Sequence, residues 1–189
     1  MRKRVVIPAV LLVAVIAVSV GLYLFQPWRI FTSSTLIEDV PAAATPAATP
    51  AVGPATESAA PSPASSAVAP VPVPRELATG QLISHEHASS GTVKILELPD
   101  GRRILRFEGL DTSDGPDLHV WLTDAPVIEG SSGWYVFDDG AHLDLGALKA
   151  NKGDQNYDIP ASAMLGHYSS VSIWCARFAV SFAAAELNT

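Results

Sequence analysis

Ser170-Val171-Ser172-Ile173-Trp174-Cys175-Ala176-Arg177-Phe178-Ala179-Val180-Ser181-Phe182 is the stretch on which the fold class turns. It is rich in β-branched and aromatic residues, holds no Gly or Pro, and fits no 3.6-residue period, so it reads as a strand. Side chains alternate between the two faces of a strand. Trp174, Ala176, Phe178, Val180 and Phe182 therefore share one face, and Val171, Ile173, Cys175, Arg177, Ala179 and Ser181 the other. Two placements of Cys175 stay open. If the aromatic face is the core throughout, Cys175 points away from it, into a second apolar cluster or a surface pocket; a bulge nearby would turn it into the core.

Upstream of this stretch the pattern repeats in shorter pieces. Gly91-Thr92-Val93-Lys94-Ile95-Leu96-Glu97-Leu98 and Arg103-Ile104-Leu105-Arg106-Phe107 flank Pro99-Asp100-Gly101-Arg102, a hairpin signal with Asp-Gly in the turn. Leu118, Val120 and Leu122 alternate with His119 and Trp121 as in a half-buried strand. Trp134-Tyr135-Val136-Phe137 predicts a further short strand, residues 141–148 and 155–159 two weaker ones, and 161–165 a short turn of helix. Short strands separated by turn signals every 8–12 residues or so imply an all-β domain, an antiparallel β-sandwich.

The rest of the chain is of a different kind. Of 189 residues, charged ones make up only 16%, against about 25% in an average globular chain, so unlike segments are mixed here. Residues 1–74 carry a net charge of +1 and residues 75–189 a net of −8, the latter holding all five His and the single Cys. An acidic domain has no basic patch to meet phosphates, which speaks against nucleic acid as a partner. One cysteine builds neither an internal disulfide framework nor a Cys-rich zinc module.

Arg2, Lys3 and Arg4 precede an uncharged apolar run over residues 5–25, whose 21 residues span about 31 Å as a helix, the thickness of a bilayer core. Trp28 and Arg29 supply anchors at the far interface. A cleaved signal peptide has a shorter apolar region ending in small residues. Here the run ends Leu22-Tyr23-Leu24-Phe25, which favours an uncleaved, single-pass anchor in the lipid bilayer. The basic N-terminus places the C-terminal domain outside the cytoplasm. Nine of the 15 prolines lie in residues 41–74, mixed with Ala, Ser and Thr, and Glu57 is the only charge there. With no core to offset chain entropy this segment predicts a disordered spacer that holds the domain up to about 100 Å away from the membrane. The expected division is 1–30 anchor, 31–79 linker, 80–189 domain.

At the level of motifs the third segment resembles a known family. Gly115-Pro116-Asp117-Leu118-His119-Val120-Trp121-Leu122 is similar to the GPDL-x-V-x-L strand of the DM-thirteen domain, the electron-transfer DM domain. Leu143-Asp144-Leu145-Gly146-Ala147-Leu148-Lys149, Gly153-Asp154-Gln155-Asn156-Tyr157-Asp158-Ile159-Pro160 and the Ser170–Phe178 part of the terminal stretch follow in the family's order and spacing. His87 ahead of Ser90-Gly91-Thr92-Val93 resembles its entry strand, and the match covers about residues 80–187. The resemblance implies a membrane-anchored bacterial member: a β-sandwich taking part in extracytoplasmic redox chemistry. It also implies that Cys175 acts as a naked thiol or as ligand to a prosthetic group such as haem or another redox metal.

Around Cys175, His87 and Trp174 complete the candidate cofactor-binding set. His85-Glu86-His87 offers two imidazoles on one face of an extended segment, though a polar loop is the plainer reading. Cys175 with His87 or His119 offers soft and borderline donors suited to copper, iron or zinc. A blue-copper pattern needs His and Met soon after the Cys, whereas Met164 and His167 precede it. Asp111-Thr112-Ser113-Asp114-Gly115-Pro116-Asp117 lacks the calcium-loop spacing and reads as a turn. No P-loop, G-x-S-x-G or H-E-x-x-H occurs, so nucleotide-binding and hydrolase classes lose their usual signals. Two functions remain: a redox module working through Cys175 with an extracytoplasmic redox partner, or a non-catalytic cell-surface binding module in which Cys175 is structural.

Overall fold

The computed structural model describes residues 2–26, 32–41 and 73–189, with side chains of the N-terminal helix described over 11–23. Helix α1 (Arg2–Phe25) is followed by ten strands among the described residues: β1 (Thr35–Ile37), β2 (Arg75–Gln81), β3 (Ile83–Ser84), β4 (Ser90–Glu97), β5 (Arg103–Asp111), β6 (Leu118–Thr123), β7 (His142–Ala147), β8 (Lys152–Ile159), β9 (Ser170–Cys175) and β10 (Val180–Glu186). They form two five-stranded sheets, in the orders β1-β8-β5-β4-β2 and β3-β10-β9-β6-β7. All pairings are antiparallel except β1 with β8.

The sheets face each other across one apolar core. Val93, Ile95, Leu105, Phe107, Tyr157 and Ile159 come from the first sheet; Val120, Leu122, Val171, Ile173, Cys175, Ala183 and Ala185 come from the second. Their spacing of two is the strand period read from the sequence. Two smaller clusters cover outer faces. Leu96, Leu98 and Ile104 receive Val40 on the first sheet. Trp121, Trp174 and Ala184 on the second are capped by Ala125 and Phe137.

Local chemistry explains most elements. In the predicted hairpin Gly101 takes φ 82°, and Gly101 N–H donates to Leu98 O and Leu98 N–H to Arg102 O, both at 2.8 Å. The weak candidates at 141–148 and 155–159 are β7 and β8. Three expectations need correction. Trp134-Tyr135-Val136-Phe137 is not a strand: a 3-10 turn at Ser131–Gly133 follows Gly130 at φ 75°, and the segment folds over so that Phe137 is buried as a cap. The helical turn falls at Leu165–His167 rather than 161–165. The terminal stretch is a hairpin, because the chain reverses at 176–179 with Ala179 in the left-handed region at φ 50°. The reversal undoes the shared aromatic face: Val180 and Phe182 join the main core, Trp174 the outer cluster, and Phe178 is 44% exposed.

The linker expected over 31–79 is narrower than its composition suggested. β1 and β2, near its two ends, are the outer strands of the first sheet, and residue 31 and residues 42–72 of it lie outside the described residues. The pairing of β1 with β8 crosses about the whole length of the domain and has no local sequence signal. Side chains described in α1 are exposed and apolar, among them Leu11, Leu12, Val15, Ile16 and Tyr23. Among the described residues no helix is long and apolar enough to cross a membrane.

Candidate functional site

Cys175 ends β9, opposite Leu118 of β6 and Val180 of β10. Its place on the inward face with Val171 and Ile173 leaves it 0% exposed. Of the two placements the sequence left open, the structure takes the core. It does so through the turn that follows Cys175, not through a bulge; the irregularity in the β9–β10 ladder lies further on, between Ser181 and Ala183.

The surroundings of the sulfur set its acidity. Burial pushes the thiol up, since an apolar site disfavours the thiolate. The nearby backbone N–H groups of Phe178 and Arg177 oppose this, Phe178 N–H donating to Cys175 O at 3.3 Å, while the Asp117 and Glu86 carboxylates add to the upward push. The net direction is upward, so Cys175 rests as a thiol. Arg177 thus acts through its backbone N–H. Ala176 N–H donates to Asp117 O at 2.9 Å and ties the turn to the 115–118 segment. Gly115 is needed there because a Cβ would press on Leu118 and the Phe182 ring.

His87 stands on Phe182, with ring centroids 3.9 Å apart, and its Nε2 lies 3.7 Å from Glu86. Phe182 belongs to the same core cluster as Cys175. His87 thus meets the core cluster through the Phe182 ring, on which it is stacked. His119 is turned elsewhere: its Nδ1 meets Asp144 at 2.8 Å and its Nε2 meets Asp117 at 3.4 Å. Among the described residues no group of three or more His, Cys, Asp or Glu side chains is placed to hold a metal ion.

Trp174, next to Cys175 in sequence, faces the opposite side of the sheet. It stacks on Trp121 at 5.1 Å, which in turn stacks on His142 at 4.1 Å, and it meets Phe137 edge-on at 6.4 Å. A strand places consecutive side chains on opposite faces, so Trp174 and Cys175 cannot line one pocket.

His85 carries more structure than its polar-loop reading implied. It is 6% exposed, its ring lies 5.7 Å from Phe137, and its Nδ1 is 2.9 Å from Ser181 Oγ. Ser172 Oγ–H donates to Ser181 Oγ at 3.0 Å, so side-chain hydrogen bonds join the bend after β3 to β9 and β10. Burial lowers the His85 pKa, and the Ile128 carbonyl partly opposes that. The pair His85 and His87 is thus split between Phe137 and Phe182. The only sequence signal for His85 was its i, i+2 relation to His87.

A haem or metal ligand needs an open coordination position at sulfur. Cys175, fully covered, does not offer one as folded. A cavity of about 550 Å³ is lined by Thr32, Asp114, Asp117, Leu118, Lys149 and Asn151, among others, and reaches the residue opposite Cys175 but not Cys175 itself. The residues present do not fit a Cys175-ligated prosthetic group in this conformation. The chemistry left to the site is that of a shielded thiol beneath a four-residue turn.

No curated protein and no solved structure gave a match. The model of the family described as Electron transfer DM13 matches residues 81–187, from the end of β2 through the whole of β10 and more than half of the chain. With the sandwich and its single cysteine in place where the motifs put them, the chain belongs to the Electron transfer DM13 family.

Proposed function

We propose that this protein is a membrane-tethered, extracytoplasmic electron-transfer module in which Cys175 exchanges electrons as a thiol. Residues 5–25 supply the bilayer anchor, on the length and apolarity argued above. The observation that carries the redox reading is the place of the one Cys: within the residues matched by the electron-transfer family, at the end of β9 and directly before the exposed 176–179 turn. The nearby Arg177 and Phe178 backbone N–H groups partly offset the effect of burial and so favour the thiolate when it forms, without a permanent charge beside the resting thiol.

The reaction is thiol–disulfide exchange with a disulfide-bearing partner protein. The Cys175 thiolate attacks one sulfur of the partner's disulfide, a new S–S bond forms, and the partner's other sulfur leaves as thiolate and takes up the proton that Cys175 gave up. Because this chain has only one Cys, a dithiol electron-donor protein completes the transfer: one of its thiols attacks the Cys175 sulfur and releases the partner fully reduced, and its second thiol closes the donor's own disulfide and frees the Cys175 thiol. Access requires the 176–179 turn to swing away. That turn holds Ala179 at φ 50°, a conformation that costs about 1–2 kcal/mol for a residue with a Cβ.

Full burial of Cys175 favours a second reading, a binding module in which the thiol is packing alone. Trapping separates the two. Full-length protein in detergent is incubated with oxidised glutathione and its mass measured under native conditions. The redox reading predicts a mixed disulfide at Cys175 that is absent in Cys175→Ser. A thiol modified only after the domain unfolds would leave the packing reading standing.

A further inference from the structure

Both ends of the Pro-rich stretch are fixed to the same sheet. β1 forms one edge, paired through Thr35 with Lys152 and Ile37 with Asp154, and β2 forms the other, paired through Arg75 with Glu97. Because Glu97 pairs with Arg103 and Arg103 with Ile159, the chain leaves β1 and enters β2 at the same end of the sheet. Four inter-strand gaps of about 4.8 Å separate the two edges, about 19 Å in all. Whatever path residues 42–72 take, they leave from and return to one sheet.

The seat of β1 is specific. Lys152 N–H donates to Ser34 O at 3.1 Å and Glu38 N–H to Asp154 O at 2.9 Å. The Glu38 carboxylate receives Lys149 Nζ at 2.9 and 3.0 Å and the Asn156 N–H at 2.7 Å, and the Arg106 guanidinium donates to Glu38 O at 2.9 Å. Asn156 Nδ2 donates to Asp39 O at 2.8 Å, and Val40 packs on Leu96, Leu98 and Ile104. Gly153, at φ 101°, leaves the space that Leu36 O occupies; any Cβ there would collide with it. Three strand residues would be a weak edge on their own, but these side-chain contacts extend the attachment from Ser34 to Val40.

We infer that residues 34–40 are a clasp docked on the β8 edge, and that this clasp, not the Pro-rich stretch, sets how far the domain stands from α1. Only residues 26–34 then bridge helix and domain, at most about 30 Å at roughly 3.4 Å per residue. The 42–72 stretch adds nothing to that reach while the clasp is seated. If it unseats, the Pro-rich stretch enters the tether, lengthening it by up to about 100 Å. The clasp is an interaction between this chain and itself and does not depend on the redox chemistry of Cys175.

The test is a distance measured between spin labels in the full-length chain in detergent. Labels go on Tyr23→Cys in α1 and Ser162→Cys, exposed on the domain, in a Cys175→Ala background so that only these two thiols react. Forty Gly/Ser residues, with an r.m.s. span of about 35 Å, are inserted either within 42–72 or within 27–31. The clasp predicts an unchanged distance distribution for the first insertion and a longer, broader one for the second. Lengthening by the first insertion would overturn it. Glu38→Pro, which removes both the N–H and the carboxylate, should make the distance respond to the 42–72 insertion; continued insensitivity would assign the restraint to another contact and overturn the clasp. Diluting with unlabelled protein should leave the distribution unchanged, whereas a change would mean that β1 seats on a second copy and would refute the intramolecular assignment.

Discussion

Truncating Cys175 tests how far its sulfur is part of the core. Cys175→Ala removes one heavy atom from a site that is 0% exposed, between β6 and β10. The transfer loss is comparable to that of a buried methylene, about 0.8 kcal/mol, and the cavity left behind brings the total to about 1–2 kcal/mol. For a domain of this size each kcal/mol lowers Tm by about 4 °C, so Cys175→Ala should melt about 4–8 °C below wild type. Cys175→Ser keeps the volume but introduces a hydroxyl, whose burial costs about 1–3 kcal/mol where it is unsatisfied. That range lies at or above the cost of the Ala variant, so Ser should fall at least as far as Ala. Thermal melts followed by circular dichroism read both. Variants that each melt within about 2 °C of wild type would refute the packing described for this residue. A lowered Tm leaves the redox reading intact, because a buried atom contributes to stability whether or not it is also used; the chemistry of the thiol decides that separately.

Other outcomes follow from the same geometry. Trp174→Ala should cost about 3–5 kcal/mol and abolish the near-ultraviolet dichroism of the Trp121–Trp174 stack, while unchanged melting would remove the outer cluster from the account. At Glu38 burial raises the carboxyl pKa, but the Asn156 N–H, the Lys149 hydrogen bond and the Lys149 and Arg106 charges outweigh it, and the net direction is down. A depressed carboxyl stabilises above its unfolded value, near 4.5, and that stabilisation is lost as pH falls through the folded value. Protection of the 34–40 amides, taken relative to the intrinsic exchange rate at each pH, should therefore fall in acid, and Glu38→Gln should show the lower protection already at pH 7. Tyr157, hydrogen-bonded to Gln155 at 2.8 Å, has its phenol pushed up to about 12 chiefly by burial. Its share of stability is complete below pH 10 and is lost between 10 and 12, which ultraviolet titration of tyrosinate against unfolding will show.

What was legible in the sequence was local. The β4–β5 hairpin could be read because Asp100-Gly101 writes its own turn, and β6 because Leu118, Val120 and Leu122 keep the strand period. The 176–179 turn could not, since it holds no Gly, Pro or Asn and forces Ala179 into the left-handed region. With that turn unseen, the faces of Trp174 and Phe182 were joined when packing separates them. Trp134-Tyr135-Val136-Phe137 has strand composition, yet it finds its burial by folding over Trp174. β1 was invisible for the opposite reason: its polar neighbours read as linker, and its stabilising partners lie at 106, 149 and 152–156. Family motifs located Cys175, but its burial and raised pKa depend on neighbours from β6, β10 and the turn, which no single stretch contains.

The central claim, that Cys175 exchanges electrons through opening of the 176–179 turn, is tested most directly by rates. Native disulfide exchange at Cys175 with a small aromatic disulfide is followed against pH and compared with the rate of global unfolding extrapolated from denaturant. The account predicts exchange clearly faster than global unfolding, rising about tenfold per pH unit below the elevated thiol pKa, because only the thiolate attacks. Exchange that is independent of pH and no faster than global unfolding would contradict it, and Cys175 would then be a core residue and nothing more.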